Sequence, residues 1–574
     1  MNRIRTTIRT GCFYLLIVLF CPSTATAADE GDTILLTAED IRAMQALKIA
    51  DVLNNVPGVK AGDSSVTIQG SYKVKVFLDS RPINDPTSSY GAVNWELVSP
   101  DDVERIEILR GKGGLRYGQD AAGGVILIYT KRIQRLTGNV KTYGGSHDTG
   151  HGQAGLQMTA GNLGIGVNGG FETTEGYTVN DDKERRQAGL KLAYSQDERK
   201  SLSFSADYLE DERGLSGLPE YPTPFSRKST RTTGLSLQFL YDRLTGTTFF
   251  NDGRNHNTDI SRRLDQTLSV SELGQDLAAS MMTGNWGELN FGGGYRQGRA
   301  EGSTFDDQTE ETFSVFAAQS LQWPNTPFTL SFGLRANINS AFDDALNPEI
   351  KAFYKKSYWR LTAAYNRTNN TPSFNQRYNE TASTRPNPEL EMETSDNYSL
   401  ALFVQPRTTL SGSVSIFHNR LSNRITYVTG DGGIGRYQNF GEVTYTGGDL
   451  AVAWQPHELI TIKGSYTYLE AMDEETGLYL PAKAKHQANL DIYWQPFDRF
   501  SMVAGGQYTS SVYGNQSNTK TIPEYVIGNI RAEYAFQRFS LFGEVKNVFD
   551  KTYYYADGYL APPCTWVIGV NWRI

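Results

Sequence analysis

Cysteine is scarce in this 574-residue sequence, which contains only three, at positions 12, 21 and 564. The first two fall within a predicted signal peptide, so the mature chain would keep Cys564 alone. A disulfide framework and a cysteine-based metal site are therefore excluded. The six histidines are scattered and offer no haem-binding pair. No metal and no cofactor are expected.

Long apolar runs are equally scarce. The run from Cys12 to Phe20 follows three arginines and precedes the A-x-A cleavage pattern Ala25-Thr26-Ala27, so residues 1–27 are predicted to be a secretory signal peptide. No later run approaches the roughly 18 apolar residues of a membrane helix. A membrane location would therefore require a closed β-barrel, the other structure that satisfies every backbone group in lipid.

Positive charge is not in excess either. The formal net charge is −8, and removal of the signal peptide with its three arginines takes it to −11. An acidic exported chain is a poor candidate for nucleic-acid binding. No Ser/His/Asp constellation is visible, which disfavours an outer-membrane hydrolase.

Alternating strands dominate the sequence from Gly138 onward. In "ITIKGSYTY" every second residue from Ile460 to Tyr468 is apolar, aromatic or glycine, and "TWVIGVNWRI" alternates likewise through Trp566, Ile568, Val570, Trp572 and Ile574. Apolar faces with aromatic ends fit a lipid-facing wall around a polar interior. A soluble β-sandwich or propeller is the alternative explanation of the same pattern.

The turns between these strands favour the barrel. A Gln-Pro pair recurs at Gln405, Gln455 and Gln495, each time after an aromatic strand end, which indicates tight turns on one rim. Residues 133–574, at about 40 residues per hairpin, would give about 22 strands. A barrel of that width has a lumen that must be an open channel or be plugged.

Several motifs then identify a resemblance. The segments "TAEDI" with "IADVLNNVPGV", "VTIQG", "VKVFLDSRPI" and "VERIEILRGKGGLRYGQDAAGGVILIYTKR" occur in the order and spacing of the plug domain of TonB-dependent outer-membrane receptors. Further on, "PNPELEMETSDNYSLAL" and "VKNVFDKTYYYADGY" resemble two segments of that family's barrel. The resemblance covers essentially the whole mature chain.

The resemblance implies a 22-stranded antiparallel transmembrane β-barrel (residues 133–574) with an N-terminal α+β plug domain (residues 33–132) inside its lumen. It implies a monomer in the bacterial outer membrane that imports a scarce ligand with energy from TonB and its ExbB/ExbD partners. A ferric siderophore is the favoured ligand and cobalamin the alternative. A passive porin or adhesin would have no plug.

Residue roles follow from the same resemblance. The N-terminal segment 28–36 contains either a TonB box or the first plug strand without a separate box, and its expected TonB contacts are Asp32, Thr33, Ile34, Leu35 and Leu36. The glycine-dense stretch after Arg110 lacks a phosphate-binding pattern, because Arg116 stands where a third glycine belongs. Arg110 and Arg116 are expected instead to contact the barrel wall as ion-pair partners.

The ligand surface is expected to combine plug loops with one barrel loop. Aromatic, amide and hydroxyl groups there suit a ferric siderophore or a corrinoid. The expected residues are Tyr72, Asp85, Ser88, Ser89, Tyr90, Asn94, Trp95, Phe374, Arg377 and Tyr378.

Overall fold

The computed structural model describes residues 33–430 and 433–573. The predicted signal peptide and Asp32 lie outside the described residues. Within those two ranges, no helix has the length and apolar character needed to cross a membrane.

The first hundred described residues form an α+β unit, the plug. Its strands are β1 Thr33–Thr37, β2 Val59–Ala61, β3 Val66–Ile68, β4 Val74–Leu78, β5 Arg81–Pro82, β6 Val103–Arg110 and β7 Gly124–Thr130. Its helices are α1 Ala38–Ala43, α2 Ile49–Leu53 and α3 Gly114–Tyr117, with 3-10 turns at Trp95–Leu97 and Pro100–Asp102. The main sheet has the order β1-β6-β7-β4-β5, in which only β4 and β7 are parallel, and β2 pairs with β3 separately.

Local sequence explains how the plug begins. The hydroxyl of Thr37 accepts a hydrogen bond from the backbone N–H of Asp40 (3.2 Å), and the Asp40 carboxylate accepts from the Thr37 backbone, which forms a capping box. The helix therefore starts directly at the end of β1, and the buried side chains of both elements join one core.

Glycine is required in the turn that joins β6 to β7. Gly124 has φ +133°, and a Cβ placed there would lie 2.1 Å from the carbonyl oxygen of Leu109. Gly113 has φ +110°, and its added Cβ would lie 2.6 Å from a methyl carbon of Val125. These positions exclude any side chain, so the glycine-dense stretch serves close backbone packing.

The remaining strands follow in chain order. They are β8 Thr137–Gly145, β9 Thr149–Ala160, β10 Leu163–Thr174, β11 Lys183–Asp197, β12 Lys200–Gly214, β13 Gly217–Leu218, β14 Tyr221–Pro222, β15 Ser226–Tyr241, β16 Leu244–Asp259, β17 Leu264–Met282, β18 Glu288–Gly302, β19 Phe305–Gln322, β20 Phe328–Asn339, β21 Ala345–Lys356, β22 Trp359–Asn370, β23 Glu393–Arg407, β24 Leu410–Ser422, β25 Ile425–Thr429, β26 Gly435–Asn439, β27 Glu442–His457, β28 Ile460–Asp473, β29 Leu478–Tyr479, β30 His486–Phe497, β31 Phe500–Thr509, β32 Val512–Tyr513, β33 Thr521–Ile522, β34 Tyr525–Ala535, β35 Phe539–Lys546, β36 Tyr554–Ala556, β37 Tyr559–Leu560 and β38 Thr565–Arg573. Two short helical segments interrupt them, a 3-10 turn at Gly284–Trp286 and α4 Phe374–Tyr378.

Twenty-two of these strands close into an antiparallel barrel, as predicted. They are β8–β12, β15–β24, β27, β28, β30, β31, β34, β35 and β38. The circle closes where β38 pairs with β8, from Val567 opposite Gly145 to Arg573 opposite Asn139. Short turns join the strands at one rim, and longer loops at the other rim carry the small hairpins β13–β14, β25–β26, β32–β33 and β36–β37.

The barrel wall has an apolar outside and a polar inside. In β38, Trp566, Ile568 and Trp572 are exposed on the outer surface, whereas Asn571 is buried against the lumen. The same alternation occurs in β22, where Leu361 is exposed and Thr362 is buried. Such a wall matches lipid on one side and polar partners on the other.

Candidate ligand-binding and gating site

A buried ion pair fixes the plug to the wall. Arg110, the last residue of β6, approaches Asp449 of β27 with Nη1 and Oδ2 2.8 Å apart, and the two side chains are 5% and 2% exposed. Asp449 also accepts a hydrogen bond from the Thr467 hydroxyl of β28 (2.8 Å). Removing one member of such a pair would leave an uncompensated buried charge.

Arg81 forms a second ion pair between the plug and the wall, and the sequence analysis did not predict it. Its guanidinium lies 2.5 Å from a carboxylate oxygen of Asp207 in β12 and donates to Asn251 of β16 (2.9 Å). Only its position after a turn distinguishes it in the sequence, because its partners lie more than 120 residues away. Arg116 has a weaker contact, a 3.3 Å hydrogen bond to the Thr245 hydroxyl. No carboxylate of the described ranges forms an ion pair with it.

A charged network links the plug to strands β10 to β12. Asp63 lies within 3.4 Å of cationic nitrogens of Lys183, Arg185 and Arg213. Burial raises the pKa of Asp63, but the attraction of Lys183 and Arg185 outweighs burial and holds that pKa well below its usual range. This side of the plug is therefore anchored by ionised groups.

The plug loops nearest the long-loop rim present an aromatic cluster. The rings of Tyr72 and Tyr90 meet edge to face with centroids 5.8 Å apart, and Tyr90 is 60% exposed. Lys73 lies beneath, with its ammonium 5.7 Å from the Tyr72 ring. The side chain of Tyr437 in β26 forms a hydrogen bond with Tyr90. Burial, together with this hydrogen bond, raises the pKa of Tyr437.

Barrel loops join this cluster. The hydroxyls of Ser89 and Ser373 are 2.9 Å apart, so the plug loop contacts the loop that follows β22. In the same loop the rings of Phe374 and Tyr378 stack with centroids 6.4 Å apart. The apical surface is the group formed by Tyr72, Ser88, Ser89, Tyr90, Phe374, Tyr378 and Tyr437.

The structure places the other predicted ligand residues elsewhere. Trp95 is 3% exposed and belongs to the plug core, and Asn94 is half-buried beside it. Asp85 is buried and accepts hydrogen bonds from the backbone and hydroxyl of Thr87. Arg377 is 5% exposed and binds Glu310 (2.5 Å) and the carbonyl of Pro388. These residues support the loops and are absent from the apical surface.

The segment considered for TonB contact is the edge strand β1. It pairs with β6 from Thr33 opposite Leu109 to Thr37 opposite Arg105, and in the described part of the chain it has no strand on its other side. Leu35 is 52% exposed, whereas Leu36 is buried. An unpaired edge of this kind can accept a further strand.

A cavity of about 1000 Å³ separates the plug from one side of the wall. We call it the side cavity. Plug residues from Met44 to Gly70 face barrel residues of β8 to β12 and of β28 to β38 across it. None of the ten predicted ligand residues lines it. Its members lie up to 523 residues apart in sequence, from Met44 to Val567, so no local motif could reveal it.

Family models match both parts of the chain. The TonB-dependent receptor plug domain matches residues 29–125, and the TonB-dependent receptor-like β-barrel matches residues 123–548. The chain belongs to the TonB-dependent receptor family. The family consists of receptors and transporters.

Relatives of this TonB-dependent receptor differ in the ligands for which they are named. The vitamin B12 transporter BtuB of Photobacterium profundum is 22% identical over 567 residues, which cover 90% of this chain and 88% of BtuB. The ferric enterobactin receptor PirA of Pseudomonas aeruginosa is 25% identical over 663 residues, which cover 91% and 87%. A mutant of the ferric enterobactin receptor PfeA of the same organism, in complex with enterobactin, has a TM-score of 0.80 at 18% identity, covering 95% of this chain and 99% of PfeA.

Proposed function

We propose that this receptor lies in the outer membrane, captures a ferric siderophore at the apical surface and imports it with energy supplied through TonB and ExbB/ExbD. The observation that carries the ligand class is the aromatic cluster of Tyr72, Tyr90 and Tyr437. Its ring faces and hydroxyls suit the aromatic, oxygen-rich groups of many iron chelators.

Energy coupling follows from the closed lumen. The plug occupies the barrel lumen and buried ion pairs hold it to the wall, so inward passage of a captured ligand would require the plug to move. Nanomolar capture corresponds to about 12 kcal/mol, which slows spontaneous release. The inner-membrane potential supplies roughly 2.3 kcal/mol per charge per 100 mV, so a few translocated charges would offset it.

TonB is proposed to act at β1. Thr33, Ile34, Leu35 and Leu36 lie in a strand with one free edge, and Asp32 precedes it in sequence. Addition of a partner strand there would use backbone hydrogen bonds of the kind that edge strands offer.

Cobalamin is the second candidate, favoured by the similarity to BtuB over 90% of the chain. Growth separates the two ligands. A strain that lacks this receptor should fail to grow on one ferric siderophore as sole iron source, yet grow normally when cobalamin is limiting. The reverse pattern would identify a cobalamin receptor, and normal growth in both media would contradict the proposed import.

A further inference from the structure

We propose that the side cavity is a second ligand site, which holds an anionic, aromatic iron chelate after it leaves the apical surface. This inference rests on the proposed function and deepens it, because it specifies the charge and chemistry of the ligand. The supporting observations are the location of the cavity, its cations, its aromatic wall and the plug-to-wall contact at its inner end.

The cavity begins beside the apical turn of the plug. Gly70, two residues before Tyr72, lines the cavity, whereas Tyr72 belongs to the apical surface. Lys483, in the loop between β29 and β30, donates to the Gly70 carbonyl at 2.5 Å. A ligand released from Tyr72 would therefore meet Lys483 next.

Two cations at this mouth have no carboxylate partner. Lys483 and Lys60 of β2 both line the cavity, and in the described part of the chain neither ammonium has a carboxylate oxygen within 4.0 Å. Deeper cations are neutralised, because Lys48 pairs with Glu172 (2.9 Å) and Lys546 with Asp51 (2.7 Å). The positive charge available to a ligand is thus concentrated at the mouth, where it would attract an anion.

The wall beside these cations is aromatic. The exposed ring of Tyr555 meets Tyr553 edge to face at 5.6 Å, and Tyr553 in turn packs on Tyr525 at 4.4 Å, with both of these rings buried. Lys60 lies over the Tyr555 ring at 5.8 Å. Aromatic faces next to cations bind flat, negatively charged aromatic groups by stacking and charge attraction.

The cavity has the capacity to hold such a ligand, and a plug-to-wall contact lies at its inner end. Its volume of about 1000 Å³ falls at the upper end of small-molecule sites. Towards the short-turn rim, Arg531 of β34 donates to the Met44 carbonyl of the plug (3.1 Å). A chelate that entered at Lys60 would meet this contact at the inner end of the cavity.

The test uses the full-length receptor in the outer membrane and ferric enterobactin, an anionic tris-catecholate, as the probe. Two double variants each remove two positive charges: K60Q/K483Q at the mouth, and K485Q/K520Q on the same side of the barrel but outside the cavity. Capture is measured on de-energised cells and uptake on energised cells.

We expect capture by K60Q/K483Q to stay within about twofold of wild type while uptake falls by about tenfold. K485Q/K520Q should match wild type in both measurements. Normal uptake by K60Q/K483Q, an equal loss in K485Q/K520Q, or a parallel loss of capture in K60Q/K483Q would overturn the second site.

A steric variant provides an independent readout. Gln507 of β31 lines the cavity and is the register partner of Asn489 in the adjacent strand β30. The side-chain amide of Asn489 donates a hydrogen bond to the backbone carbonyl of Asn54 in the plug. Gln507→Trp should block uptake and leave capture intact, and normal uptake by this variant would overturn the inference. If wild type neither captures nor imports ferric enterobactin, an anionic tris-catecholate is excluded as the ligand and the second site fails with it, an outcome distinct from a defect confined to the variants.

Discussion

Arg110 and Asp449 form a buried ion pair, so each compensates the buried charge of the other. Arg110→Ala should destabilise the plug by about 3 kcal/mol, since it leaves a buried carboxylate whose remaining partners, two hydroxyls and the Gln69 amide, are all uncharged. Hydrogen exchange followed by mass spectrometry should show faster exchange in β6. Arg110→Met combined with Asp449→Leu removes both charges and should recover most of the protection, and equal exchange in the single and double variants would contradict this account.

Lys483 gives the mouth of the side cavity a pH dependence. Burial, together with repulsion from Lys60 and Arg424, lowers its pKa to about 8. The ammonium is charged below that pH and neutral above it, so uptake of an anionic chelate should decline as the pH rises from 7 to 9. Lys483→Gln should make the uptake rate independent of pH between 7 and 9, at the low rate that wild type shows at pH 9. Lys520→Gln should keep the pH dependence of wild type. An unchanged profile in Lys483→Gln would exclude this lysine as the titrating group.

At the scale of elements, β1 is the strand on which a periplasmic force would act first. Deletion of Asp32 to Leu36 removes the edge strand but no barrel residue, so it should abolish uptake without preventing barrel insertion. Uptake of a labelled chelate and the amount of receptor in outer-membrane fractions measure the two effects. Glu39→Gln changes an exposed residue of α1 just outside the deleted segment and should transport normally. Energised uptake by the deletion variant would refute coupling through β1.

The plug loop and the loop after β22 offer a way to test apical movement. The hydroxyls of Ser89 and Ser373 are 2.9 Å apart, close enough for cysteines at these positions to form a disulfide. In a Cys564→Ser background, oxidised S89C/S373C should capture ligand but import it poorly, and reduction should restore import. Each single-cysteine variant should be insensitive to the oxidant. Full import by the oxidised double variant would show that these loops need not separate.

Elements differ in how far the sequence determines them. The strand count of the barrel is predictable, because lipid on one face and polar partners on the other enforce the alternation seen in β38. The Thr37 cap is predictable because its hydrogen bonds are local. The burial of Trp95 is not predictable, because the sequence places this aromatic residue in a loop. Only the tertiary packing of the plug buries it. Arg81 and the side cavity depend on residues that meet only after the barrel closes.

For the whole molecule, the plug should determine electrical conductance. The full-length receptor in a planar bilayer should show almost no current, because the plug occupies the lumen of a 22-stranded barrel. Deletion of residues 33–132 should produce large, steady channels. A deletion variant that is folded, as judged by heat-modifiable migration in gels, and yet does not conduct would contradict a lumen closed by the plug alone.

The pairing of β38 with β8 has a consequence for biogenesis. These strands are separated by more than 400 positions in sequence, so β8 is exported long before β38. Until β38 is available, the curved sheet has two unpaired edges, whose amide and carbonyl groups cannot form hydrogen bonds with hydrocarbon. A chaperone or insertion machine must therefore cover the edge of β8 during assembly. Loss of the nine residues of β38 would leave an open sheet that is not stable in the bilayer.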